Sequence, residues 1–271
     1  MARPASIGTF VTHDYDNYSK SEYTICEWNL NGWFTNTNPY NLVFKKNVIK
    51  YLDSDFLILP EIHCNANQKL EILNYTVFQK NRFKVGRFGR GSGGIAIAVK
   101  NDLLNFHKVL AIYQSGCDGL IGLKIKNRFN DLCIGIVGMY LSPDNYRYGQ
   151  DAEGYFNDAA VMWEDFLDCD LIIGAGDVNA RTKELLDYIP EIDGSLIPNR
   201  TNPDKIKNSH GDCFLTFLKE NRAIILNGRI TPQYNNFTFV SPQRGSSVPD
   251  YIFCPVDHLE YCTEVKTLFS Q

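Results

Sequence analysis

The chain lacks any apolar stretch approaching membrane-spanning length, which argues against a transmembrane helix. Its N-terminus, MARPASIGTFVTHDYDNYSK, lacks the apolar run of a secretory signal, so the sequence predicts an intracellular protein (cytoplasm and nucleus) that is not secreted. Positive charge is not in excess: 27 Lys and Arg face 31 Asp and Glu, a formal net charge of -4. That excludes a bulk basic nucleic-acid binder, and any such affinity must come from a local patch. Eight cysteines include no C-x-x-C pair, and several sit in apolar runs. They read as buried thiols in a reducing compartment, not as zinc ligands or a disulfide framework. There is no internal repeat and no low-complexity tract. What is present is 271 residues of 44% hydrophobic content, enough for one large domain with a core.

Residues 1–21 are polar and read as a flexible N-terminal tail, leaving 22–271 as the folded domain. Tyr23 to Trp28 is strand-like and runs into Asn29-Leu30-Asn31-Gly32. Asn38-Pro39 opens a helix with an apolar stripe of Leu42, Val43, Val48, Ile49 and Leu52. Asp55 to Pro60 is a buried strand ending on Glu61. Gly93 to Val99, Val109 to Tyr113, Leu120 to Ile125 and Leu132 to Leu141 read as further strands, and Tyr155 to Leu167 as a helix. Leu171 to Gly174 is again a buried strand, delivering Asp177 and Asn179 at a spacing of two. A long polar segment to about His210 reads as a surface insertion. The helix Asp212 to Asn221 and strands at Ala223 to Leu226, Asn236 to Ser241, Ser247 to Phe253 and Glu260 to Leu268 follow. Two groups of strands with helices between them predict an α/β fold, two packed mixed sheets flanked by helices.

Polar groups cluster just past the apolar runs: Asn29, Asn31, Glu61, Tyr140, Asp177, Asn179, Asn227 and Asp250. Hard oxygen donors with few carboxylates suit Mg2+ or Mn2+, ions that keep waters and share themselves with a substrate phosphate. For each carboxylate the bland alternative is a loop acid past a strand; the gathering of several is what favours a site. Lys80, Arg82, Lys84, Arg87 and Arg90 form a basic run beside RFGRGSGG. It reads either as a solvated loop or as a phosphate-contacting, DNA-binding patch.

Six stretches in order, WNLNG, ILPE, GGIAIAV, MYLSP, GDVNAR and SVPDYI, resemble the endonuclease/exonuclease/phosphatase family. The spacing of Arg200, Asp204, Asn208 and Gly211, then ILNGR and FTFVS, is most similar to the endonuclease domain of non-LTR retrotransposons. The resemblance implies a DNase I-like four-layer sandwich and Mg2+-dependent nicking of double-stranded DNA, with a reverse transcriptase domain as a partner in the same polyprotein and no membrane. It implies that Glu61 binds the metal, supported by Asn29, and that Asp177 orients or deprotonates the attacking water. Asn179 would stabilise the transition state, Tyr140 contact the scissile phosphate and Asp250 orient a catalytic His. Asn31, Asn227 and Thr238 would support the site.

The family closes with a Ser-Asp-His motif, which here would begin where the chain stops at Gln271. The expectation is therefore a domain lacking its last strand, with an unpaired sheet edge and impaired activity. Asp257-His258 imitates the motif but lies only seven residues after Asp250, in a turn. His13, His63, His107 and His210 read as surface or packing residues. Two alternatives stand beside the nuclease: a phosphatase or sphingomyelinase of the same fold, and an inactive domain that binds nucleic acid or protein.

Overall fold

Phe56–Pro60 shows how the sequence sets the layers. Phe56 and Ile58 point to one side of their sheet and Leu57 and Leu59 to the other, and all four are buried. A strand apolar on both faces must be covered on both. The computed structural model describes residues 5–12, 22–34, 39–82, 91–194, 196–231, 237–241, 243 and 245–268. Its strands are β1 (Ala5–Val11), β2 (Glu22–Glu27), β3 (Phe56–Pro60), β4 (Tyr75–Lys80), β5 (Ile95–Lys100), β6 (His107–Gln114) and β7 (Leu120–Asn127). There follow β8 (Cys133–Tyr140), β9 (Leu171–Asp177), β10 (Ala223–Ile225), β11 (Phe239–Ser241), β12 (Gly245–Ser247), β13 (Asp250–Pro255) and β14 (Cys262–Leu268).

One six-stranded sheet has the order β14-β1-β2-β3-β5-β4 and the other β10-β13-β9-β8-β7-β6. Between them lies a layer of aliphatic side chains, among them Ile58, Ile97, Ile121, Ile136, Ile173 and Ile252. The helix Pro39–Leu52 lies on the outer face of the first sheet, where Ile49 packs with Trp28, Leu57 and Leu59. The helices Ala152–Glu164 and Ser209–Glu220 cover the second through Phe156, Trp163, Phe214 and Phe217. Their starts are capped by Asp151, which accepts from the Gly154 N–H, and Asn208, which accepts from the Gly211 N–H. This is the four-layer α/β sandwich that the strand and helix pattern predicts. Among the described residues no helix is long and apolar enough to cross a membrane.

Each sheet contains one parallel pair, β2 with β3 and β8 with β9; the other pairings in the two sheets are antiparallel. Parallel neighbours bring their C-terminal ends to the same edge, where ligands gather in open α/β sheets.

One expectation is corrected. The segment read as a flexible tail contains β1, which lies between β2 and β14 with Phe10 fully buried. Its Ser, Gly and Thr residues hide a strand alternation that only the two neighbouring strands make profitable. The same strand covers the outer edge of β2, and β14 covers β1. The polar segment before His210 packs on the surface as expected, and a few buried polar residues anchor it. Asp187, Asn202 and Asp204 are buried, and Nη2 of buried Arg229 donates to both carboxylate oxygens of Asp187.

Candidate active site

The two parallel pairs end in matching turns. After β2, the Asn31 N–H donates to Asn29 Oδ1 (2.9 Å); after β9, the Asn179 N–H donates to Asp177 Oδ1 (3.1 Å). Asn31 and Asn179 both adopt the left-handed conformation, with φ of 47° and 48°. These are Asx turns, in which a short side chain bonds the backbone two residues on. The residues at spacing two therefore meet through a turn, and not through the strand alternation that the sequence suggests.

The turns bring the sheets' polar groups together. Asn29 Nδ2 donates to Glu61 Oε1 (3.0 Å) and to Asp177 Oδ2 (2.6 Å). Since its Oδ1 accepts from Asn31, the orientation of this amide is determined by its partners. Glu61 follows β3 directly and has φ of 53°, an unfavourable conformation for a residue with a Cβ. The backbone is pinned there: the Leu30 N–H donates to Pro60 O, Gly32 to Glu61 O and Trp33 to Ile62 O. Gly176 permits the matching closeness on the other sheet, because a Cβ there would come within 1.8 Å of the Met139 carbonyl oxygen.

Tyr140 ends β8 in register with Asp177. Burial, reinforced by Glu61 and Asp177 and opposed by Ser142 and Arg82, pushes its phenol well above the ordinary value. The group is therefore a proton donor at neutral pH. Asn179 Nδ2 donates to Leu141 O (2.8 Å), and its own carbonyl accepts from Asn208 Nδ2 (2.8 Å). Asp250 opens β13 opposite Asp177 and is buried. Thr238 Oγ1 accepts from the Asp250 N–H (3.2 Å), while Asn227 donates to the Asp250 carbonyl (3.4 Å) and accepts from the Ile252 N–H (2.7 Å). Thr238 and Asn227 thus hold the β13 backbone, at one remove from the carboxylates.

Several residues fall elsewhere than expected. His63, read as a surface or packing residue, has Nε2 3.3 Å from Glu61 Oε2. A second left-handed residue, φ 52°, turns it back toward the carboxylate, which no periodicity reports. His258 lies at the far end of the sheet, where its Nδ1 accepts from the Ile172 N–H (3.0 Å). Ile172 precedes Asp177 along β9 by about 16 Å of strand. His107 bonds Tyr23 and Leu103 and His210 bonds the Gly149 carbonyl, both buried packing roles; His13 lies outside the described residues. Of the basic run, Lys80 donates to the carbonyls of Ser115 and Cys117, and Arg82 is buried against Tyr140 and Tyr148. Both charges have partners within the protein. Lys84, Arg87 and Arg90 lie outside the described residues.

The polar segment adds an ion pair beside the site. Arg181 forms a bidentate pair with Asp204 (2.8 and 2.6 Å), which also accepts from the Ile206 and Val248 N–H groups. Burial raises the Asp204 pKa, but Arg181 and those two N–H groups outweigh it and leave the carboxyl below its ordinary value. Among the described residues, no group of three or more His, Cys, Asp and Glu side chains forms a ready-made metal cage. Glu61 and Asp177 nevertheless suit a hard divalent cation. Two largely buried carboxylates converge on one neutral amide, a hard-oxygen donor set with negative charge in excess.

The endonuclease/exonuclease/phosphatase family model matches residues 26–267. No curated protein matches the chain in sequence. Among solved structures, the AP endonuclease LMAP from Leishmania major superposes with a TM-score of 0.60 at 14% identity, over 92% of this chain and 88% of that one. The 3'-5' exonuclease NExo from Neisseria meningitidis gives 0.58 at 12%, over 85% and 86%. The human Nocturnin catalytic domain with bound sulfate gives 0.54 at 12%, over 85% and 81%. At these identities the structural likeness is one of fold, and the matching family model, spanning nearly all of the sequence, carries the assignment: the chain belongs to the endonuclease/exonuclease/phosphatase family.

Proposed function

We propose that the chain hydrolyses phosphodiester bonds of double-stranded DNA with the help of Mg2+ or Mn2+, as the endonuclease of a retrotransposon-type polyprotein that also carries a reverse transcriptase. The observation that carries the reading is the amide of Asn29 shared between Glu61 and Asp177, one carboxylate from each sheet. Glu61, held by Asn29, is the side chain that would take the cation. A bound divalent cation neutralises charge on the phosphate and eases departure of the leaving oxygen.

The remaining work falls to the chain's own groups. Asp177 orients the attacking water and receives its proton as oxygen adds to phosphorus. Asn179 spends one amide hydrogen on Leu141 O and keeps the other for a phosphate oxygen. Tyr140, held neutral, donates its hydroxyl hydrogen to the same phosphate. By the family resemblance, Asp250, paired with Asp177, would orient a catalytic His that gives its proton to the leaving oxygen. The retrotransposon placement is supported by Asp204 and Asn208, residues of the branch-like spacing, which hold Arg181 and Asn179.

The substrate is tested by offering supercoiled plasmid, an inositol polyphosphate and sphingomyelin under the same Mg2+ conditions. Nicking of the plasmid alone is the expected result. Release of phosphate from the inositol compound, or cleavage of sphingomyelin with intact plasmid, would move the chain to another activity of the family. Binding of DNA with no cleavage of any substrate would make it an inactive binding domain.

A further inference from the structure

We propose that Arg82 is a positioning residue for Tyr140, acting from behind the phenol, and that it makes no contact with DNA. The proposal deepens the phosphodiesterase reading above and rests on it for its kinetic consequences.

Arg82 lies two residues past β4, in a run whose charges suggest a solvated loop, yet its side chain is only 4% exposed. The guanidinium sits between two rings, 5.1 Å from the Tyr140 centroid and 4.4 Å from that of Tyr148. Nη1 donates to Ser142 Oγ (3.0 Å), and that hydroxyl lies 3.5 Å from the Tyr140 hydroxyl. Nε faces Asp118 Oδ2 at 3.6 Å. The planar cation is thus held by two faces and two edges, an arrangement open to arginine and closed to lysine.

The slot is built by the site itself. A Cβ on Gly93 would come within 2.4 Å of the Arg82 guanidinium carbon, and Gly93 has φ of +59°, so a side chain there would be strained as well as obstructive. The Gly93 carbonyl accepts from the His63 N–H (2.8 Å), two residues from Glu61. Two bonded connections, after β3 and before β5, therefore carry the Glu61 carboxylate on one side and leave space for the guanidinium on the other. With its faces on two rings and its edges turned to Ser142 and Asp118, the guanidinium is committed within the protein. What it can do is fix the tilt of the Tyr140 ring and place positive charge behind a phenol that faces Glu61, Asp177 and an incoming anion.

The test uses Arg82→Gln, Arg82→Lys and Ser142→Ala, each alone and with Tyr140→Phe, in the full chain. Arg82→Gln should lower kcat for plasmid nicking by about 10- to 100-fold with KM changed less than about threefold. Arg82→Lys should recover little of that loss. In the Tyr140→Phe background Arg82→Gln should cost less than about threefold more, because its effect passes through the hydroxyl. The salt dependence of DNA binding should not change. Equal losses in both backgrounds would overturn the proposal, as would a log-log salt slope lowered by about 0.9, the signature of a lost phosphate contact. Ser142→Ala keeps the guanidinium and should give a smaller loss of kcat that likewise vanishes in Tyr140→Phe; it decides the matter if Arg82→Gln does not fold. A readout free of activity is the NMR spectrum of ring-labelled tyrosine. Arg82→Gln should move both the Tyr140 and Tyr148 signals, and unmoved signals would refute the proposal. A parental chain that cleaves no phosphodiester would remove the function proposed above, and the tyrosine signals would then decide the role of Arg82 on their own.

Discussion

Asn29 and Asp177, 148 residues apart, meet across the sandwich with Nδ2 2.6 Å from Oδ2. The same amide nitrogen serves Glu61, so one neutral side chain separates two buried carboxylates. Asn29→Leu, close to isosteric, removes both bonds and should destabilise the fold by about 1–3 kcal/mol in urea titrations without divalent ions. Much of that cost is the repulsion and desolvation left between the two acids, so Asn29→Leu combined with Glu61→Gln should be more stable than the sum of the single effects predicts. Strict additivity would show that the carboxylates do not share the amide.

Glu61 holds its place with a left-handed backbone. Glu61→Gln keeps the backbone and the volume, and should abolish metal-dependent cleavage with stability changed by no more than about 1 kcal/mol. Glu61→Gly should also abolish cleavage, yet it relieves a conformation that costs a non-glycine residue about 1 kcal/mol or more. Its thermal midpoint should therefore equal or exceed that of Glu61→Gln. A clearly lower midpoint would mean that the loop is not strained.

Asp204 links acid stability to the site. Its carboxyl is held below the ordinary value, so its contribution is full above the unfolded pKa of about 4 and is lost as pH falls through the folded one. Urea midpoints measured downward from pH 6 should decline below about pH 4, and Asp204→Asn should flatten that decline while lowering stability at neutral pH. An acid limb unchanged by Asp204→Asn would assign it to other carboxylates.

Duplex affinity gives a contrast within the basic run. Lys80 is engaged by the Ser115 and Cys117 carbonyls, which leaves Lys84, Arg87 and Arg90 as the candidates for phosphate contact. Neutralising any one of those three should reduce the log-log salt slope of binding by about 0.9, and Lys80→Met should leave the slope as it is. The reverse pattern would place the DNA on the other side of β4.

Much of the site is legible in the chain because Asn29, Glu61, Tyr140 and Asp177 each sit at the end of an apolar run that buries itself as a strand. Once β2, β3, β8 and β9 are recognised, two parallel pairs bring those ends to one edge without further information. The roles of His63 and Arg82 are hidden for a physical reason. Each depends on what a left-handed residue or an absent Cβ allows, His63 on its own φ of 52° and Arg82 on Gly93, and neither leaves a periodic trace. β1 is hidden differently. It is a short run, ASIGTFV, followed by a long polar stretch, and it is held as a strand because β2 and β14 supply hydrogen-bond partners on both sides. The buried anchors of the polar segment follow the same logic: Asp187 and Asp204 look solvated until Arg229 and Arg181 are found beside them.

The most direct test of the account is nicking of supercoiled plasmid by the parental chain, Glu61→Gln and Asp177→Asn, with Mg2+ and with EDTA. The account predicts open-circular product from the parental chain in Mg2+ and none in EDTA. It also predicts a loss of at least about 10²-fold for each variant, both of which should retain the parental thermal midpoint to within a few degrees. Nicking that survives EDTA, or that proceeds at the parental rate in Asp177→Asn, would contradict a site built on the amide shared by Glu61 and Asp177.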